Sequence, residues 1–113
     1  MTITTDLKKE RWQGYFEAVT RSLEGKQAFV EVAALPLGDQ VAVEWLPLRG
    51  VTYDHKDDII DLNLGDVGHI IRHPASIHIE TEGTEVRSIE VIDAQNAEHI
   101  VRLREPLMLP KPG

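Results

Sequence analysis

Apolar residues recur along this chain with two periods, and the change between them falls near Lys26. Before it, Trp12, Tyr15, Phe16, Val19 and Leu23 stand at i, i+3, i+4, i+7 and i+11, a single helical stripe. The spacing predicts an amphipathic helix from about residue 6 to residue 24. Thr5 or Asp6 can accept hydrogen bonds from its orphan amides, and Gly25 can supply the left-handed residue that closes it. Gly14 inside it costs about 1 kcal/mol relative to alanine. The stripe holds three of the six Trp, Tyr and Phe residues, which makes the helix a lid on a sheet rather than a free partner helix.

After Lys26 the period is two. Ala28, Val30 and Val32 predict one strand and Val41, Val43 and Trp45 a second, with a turn marked by Pro36, Gly38 and Asp39. Pro47 ends the second strand or places it on an edge. The next stretch, LRGVTYDHKDDIIDLNL, reads as a β-hairpin with a loop at His55–Asp58. Its register then pairs Asp54 with Ile59, Tyr53 with Ile60, Thr52 with Asp61 and Val51 with Leu62. The apolar pairs share one face, and a slip of one residue would destroy that sorting. The run GDVGHIIRHP predicts a single helical turn, capped by Asp66 and stopped by Pro74.

Three further strands follow, around Ile77 and Ile79, over 86–92 and over 98–104. Glu82-Gly83 joins the first two, and a bulge is expected near Arg87-Ser88. A turn at Ala94-Gln95 with Asn96 left-handed joins the last two, setting Val91 opposite His99 and Ile89 opposite Val101. The tail EPLMLPKPG is too rich in proline for a helix or a central strand, and residues 1–5 and 110–113 are expected to be loose. The fold class is α+β: an N-terminal helix packed on a twisted antiparallel sheet, or half-barrel, of about seven short strands in one domain, 1–113.

The composition narrows function more than it assigns it. With 113 residues, 42% of them hydrophobic and 27% charged, the chain fits one soluble domain. It has no apolar run near the roughly 20 residues that span a bilayer. MTITTDLKKERW lacks the apolar centre of a signal peptide, so a cytoplasmic location without membrane contact is expected. The absence of cysteine removes disulfides, thiol nucleophiles and thiolate zinc sites. A net charge of −7 works against nucleic acid or an anionic membrane as partner.

Three clusters could carry chemistry. Asp54, His55, Asp57 and Asp58 could hold a divalent cation or act as acid and base, although a solvated hairpin tip explains them too. On a helical turn, His69 and His73 would share one face at a spacing used by metal-binding pairs. H-I-I-R-H lacks the glutamate of a zinc-protease motif, and the two histidines need Asp66 or His78 to complete a site. The metal candidates are therefore Asp57, Asp58, His69 and His73, with no cofactor expected. Arg72, Arg87, Arg102 and Arg104 could read a phosphate or carboxylate, but Glu80, Glu85, Glu90 and Glu98 on the same strands offer them cross-strand partners.

The runs RWQGYF, LEGKQ, PLRGVTYDHKDDIIDL, HIIRHPASIHIE, IEVIDA and HIVRLREPL resemble a bacterial domain-of-unknown-function family, the one numbered fifty-three thirty-five. The resemblance covers nearly the whole chain, and its most specific part is G-V-T-Y-D-x-K-D-D followed by H-x-I-R-H-P. It implies a short, soluble, single-domain bacterial protein with no assigned activity, and no site residues carry over from it.

The leading functional expectation is a non-enzymatic interaction or oligomerisation module. Leu35, Leu37, Leu46, Leu48, Leu107, Met108 and Leu109 fall outside the alternating pattern and need a second face or another chain, which motivates a homodimer or another protein partner. One alternative is a metal-dependent or acid–base enzyme using the Asp and His groups between Asp54 and His78. A second is an Sm-like nucleic-acid binder, which rests on fold analogy alone.

Overall fold

The helical stripe folds as its spacing requires. A computed structural model of the chain describes residues 2–34 and 38–109. In it α1 (Trp12–Arg21) follows a 3-10 turn at Lys9–Arg11 and buries Trp12, Phe16 and Val19. The helix is shorter than its apolar stripe. Asp6 belongs to a strand, no side chain caps the N-terminus, and the last turn ends at Ser22, whose hydroxyl donates to the Ala18 carbonyl at 3.0 Å. Gly25 does adopt a left-handed conformation, at φ 74°, but it serves the turn into the following strand rather than the helix end.

The strands are β1 (Thr2–Asp6), β2 (Gln27–Ala34), β3 (Gly38–Pro47), β4 (Gly50–Asp54), β5 (Ile59–Leu64), β6 (Val67–Arg72), β7 (Pro74–Glu82), β8 (Glu85–Asp93) and β9 (Glu98–Met108). Every ladder is antiparallel. They form a six-stranded sheet in the order β1-β7-β8-β9-β2-β3 and a three-stranded sheet, β4-β5-β6. One helix with antiparallel sheet is the predicted α+β class, but the described residues hold nine strands in two sheets, not about seven in one sheet or half-barrel. Both sheets and α1 turn apolar faces into one buried cluster. Among the described residues no helix is long and apolar enough to cross a membrane.

The central hairpin has the predicted register, from Asp54 opposite Ile59 to Val51 opposite Leu62. The β8–β9 turn does too: Asn96 has φ 68°, Val91 faces His99 and Ile89 faces Val101. The bulge expected near Arg87 is present, since Glu80 pairs with Ser88 and Thr81 with Val86, leaving Arg87 extra.

Four expectations are corrected. Residues 2–5, expected to be loose, pair with β7 as part of β1. The GHIIR segment is not a helical turn but the edge strand β6, because strand alternation buries Ile71 while Ile70 stays exposed. The tail is not excluded from the sheet: β9 runs through Pro106, which falls in a break of register, and Leu107 and Met108 pair with Val86 and Glu85. The leucines thought surplus are mostly core, with Leu48 and Leu107 buried and Leu46 and Leu109 packed against the cluster. Met108 remains exposed, and Leu35, Pro36, Leu37 and 110–113 lie outside the described residues.

Trp12 and Tyr15 sit on the same helix and behave oppositely. The Trp12 indole N–H donates to the Leu7 carbonyl at 2.8 Å, whereas the Tyr15 hydroxyl is buried without a partner among the described residues, and burial pushes it up to about 12. Phe16→Ala should therefore cost about 3–5 kcal/mol, and Tyr15→Phe, which removes an unsatisfied hydroxyl, should leave stability unchanged or raise it by about 1 kcal/mol. Urea titrations of the two variants check this; a loss under about 1 kcal/mol for Phe16→Ala would mean that the helix docks elsewhere.

Candidate functional site

Strand β6 decides where the candidate histidines go. Alternation sends His69 to the same side as buried Ile71, toward the large sheet. There its Nε2 lies 3.1 Å from Nδ1 of His99 on β9, and Nε2 of His99 lies 3.0 Å from Asp93 Oδ2 at the end of β8. Asp93 Oδ1 accepts from the Gln95 and Ala97 amides at 2.9 and 3.0 Å, so the same carboxylate builds the turn that holds it. Burial alone would raise the Asp93 carboxyl, but the His99 and amide hydrogen bonds outweigh it and hold it below its ordinary 3.8. His69 is pushed down, first by burial and then by the neighbouring His99. When Asp93 accepts from His99 Nε2–H, the His99 Nδ1 lone pair is left to accept from His69 Nε2–H.

A second chain of hydrogen bonds starts at the central hairpin. The Tyr53 hydroxyl donates to Asp58 Oδ1 at 2.9 Å, and Asp58 Oδ2 lies 3.3 Å from His73 Nδ1. Burial alone would raise Asp58, but the bonds from Tyr53 and His73, with Lys9 nearby, hold it below 3.8. His73 has φ 52°, unusual for a residue with a side chain. Its backbone is held at both ends: its N–H donates to the Asp58 carbonyl at 2.8 Å, and its carbonyl accepts from Ala94 N–H at 2.9 Å. A carboxylate-oriented imidazole with an exposed far nitrogen is an arrangement that general bases use.

The two chains flank a cleft of about 300 Å³ lined by Ile70, Arg72, His73, Asp93, Ala94, Gln95 and His99. Of the sequence candidates, the structure brings Asp58 and His73 together. His69 is separated from His73 by roughly 13 Å of extended chain and has its own partner. Asp57 stays at the hairpin tip, where Asp54 Oδ1 accepts from the Lys56 and Asp57 amides as in any tight polar turn. Among the described residues no group of three or more His, Asp or Glu side chains could hold a metal ion. Asp93 and His99 were not among the candidates. Their contact with His69 joins two sheets, and only the predicted facing of Val91 and His99 hinted at an inward histidine.

A second locus lies on the outer face of the large sheet. Two register shifts interrupt the β2–β3 pairing: Ala28 faces Leu46, yet Val30 faces Val43. One residue of β2 thus opposes two of β3, and Trp45 takes φ 43°. This turns Leu46 toward the core and leaves Trp45 36% exposed. The indole packs 5.5 Å from Phe29, and the Arg104 guanidinium stands 5.5 Å over its ring. A groove of about 510 Å³ runs from Trp45 past Ile100 and Arg102 to Arg87, Glu80 and Glu90. Arg87, Arg102 and Arg104 share this outer face, and Arg72 stands apart from them. Arg102 pairs with Glu31, and Arg87 with Glu82 and Glu85, while Arg72 lies at the cleft.

The chain belongs to the Family of unknown function (DUF5335), whose model matches residues 3–112. It is similar to an uncharacterized protein of Aquifex aeolicus (strain VF5), 35% identical over 109 residues that cover 96% of this chain and 98% of that protein. No solved structure matches the chain.

Asp93→Asn should lower the unfolding free energy at pH 7 by about 1–3 kcal/mol. The folded carboxyl lies below its unfolded value of 3.8, so its contribution is present above that pH and is lost as pH falls through the folded value. Urea titrations at pH 7 and near pH 2.5 should show the wild type and the variant converging at the lower pH. An unchanged gap would assign the loss to something other than this carboxylate.

Proposed function

We propose that this member of the family is a non-enzymatic interaction module that self-associates through the outer face of its large sheet around Trp45. The observation that carries the reading is Trp45 itself. A bulky residue with positive φ is a costly backbone state, worth about 1–3 kcal/mol, and folds keep such states mainly where they place a side chain for use. Here the bulge on an edge strand lifts an indole out of the core alternation, beside Phe29 and under Arg104. Tryptophan and arginine are the residues most enriched at energetic centres of interfaces. Val41 adds to the patch: it is 58% exposed and pairs with Glu31, whose side chain shares the outer face with Phe29. The face is mixed rather than uniformly charged, with Glu31, Glu80 and Glu90 near Arg87 and Arg102, which suits a self-complementary two-fold contact.

The tail, whose Leu107 is buried within its own domain, is not the contact in this reading. Light scattering after size exclusion should give a mass near twice 12.7 kDa at micromolar concentration. Trp45→Ala should raise the dissociation constant by about thirtyfold or more, the equivalent of about 2 kcal/mol. Met108→Ser should leave it unchanged. A wild-type mass that stays at 12.7 kDa up to high micromolar would sink the proposal.

A further inference from the structure

We infer that the cleft between β6 and the β8–β9 turn is a binding site for a small monocarboxylate, taken up by Arg72 and His73. The cleft holds about 300 Å³, the lower end of the range for small-molecule sites. Unlike Arg87, Arg102 and Arg104, the Arg72 side chain has no hydrogen-bond or ion-pair partner among the described residues. Its planar fork matches a carboxylate with two parallel hydrogen bonds. The next residue, His73, commits Nδ1 to Asp58 and leaves its ring 69% exposed, so Nε2 is available to a ligand. As an imidazolium the ring donates at both nitrogens, from Nδ1 to Asp58 and from Nε2 to a bound anion.

Preorganisation strengthens this case. The left-handed backbone of His73 is pinned by Asp58 on one side and Ala94 on the other, so the imidazole does not have to be gathered when ligand arrives. The ligand class follows from the surroundings. Asp93 and Asp58 both stand close and are held ionised, which penalises a doubly charged phosphate more than a singly charged carboxylate. Ile70, 46% exposed, offers an apolar wall for a short alkyl chain. The site shares no residue with the Trp45 face and does not depend on self-association.

The test is a ¹H–¹⁵N NMR titration of the full chain with sodium butyrate, against sodium chloride at matched ionic strength. Saturable shifts should concentrate at the amides of 70–73 and 93–97. Arg72→Gln, an exposed change that should leave the rest of the spectrum in place, should raise the dissociation constant about tenfold or more. Arg72→Lys should recover part of the affinity, and Arg104→Gln should keep it all. Shifts that never saturate, an unchanged constant in Arg72→Gln, a loss in Arg104→Gln, or inorganic phosphate bound as tightly as butyrate would each overturn the assignment.

Discussion

Both halves of the structure lean on Tyr53. Its ring meets the Trp12 indole edge-on at 5.1 Å, which ties the helix to β4, and its hydroxyl fixes Asp58 at the hairpin tip. A small sheet persists in water only with a hydrophobic face to bury or a helix to pack on. The small sheet does so with Val51, Tyr53, Ile60, Leu62 and Ile71. Its outer strand is sealed by a side chain: the Thr20 hydroxyl both donates to the Val51 carbonyl and accepts from the Val51 amide, each at 3.0 Å. One threonine thus stands in for a fourth strand and satisfies main-chain groups that would otherwise face water or another chain.

Parity explains most of what the chain does next. In a strand, each inserted residue moves every later side chain to the opposite face. The extra residue at Trp45 sends Leu46 inward, so that the chain enters β4 with Leu48 already buried. The longer break between Ser88–Arg102 and Val86–Leu107 lets β9 bend around Pro106 and bring Leu107 into the core. These two irregularities place the leucines that have no slot in an unbroken alternation.

Elements whose determinants are local were legible from residues alone. Val51, Tyr53, Ile60 and Leu62 identify their own register, and the Asn96 turn identifies its loop. What escaped is non-local or ambiguous. GHIIR satisfies a helical turn as well as a strand, and only the neighbouring edge of β5 decides between them. TITTD is polar enough to read as a frayed end until β7 supplies a ladder. The pairing of Asp58 with His73 follows once both hairpins are built, whereas His69, His99 and Asp93 meet across two sheets whose packing no local pattern encodes. The solvated-turn reading of the Asp54–Asp58 tip fits Asp54, Lys56 and Asp57, but Asp58 is drawn away by Tyr53.

Strand β1 also carries a consequence in time. Among the described residues it has one neighbouring strand, β7, and Ile3 meets Thr81 across a separation of 78 residues. At about 5–20 residues per second, a ribosome needs about 4–16 seconds to deliver that partner. Until then β1 is an unpaired strand beside an amphipathic helix, while the β4–β5–β6 meander can close from local contacts. The order of assembly here is therefore opposite to the order of synthesis: β1 is made before α1 and β2–β9 and is among the last of them to find its place.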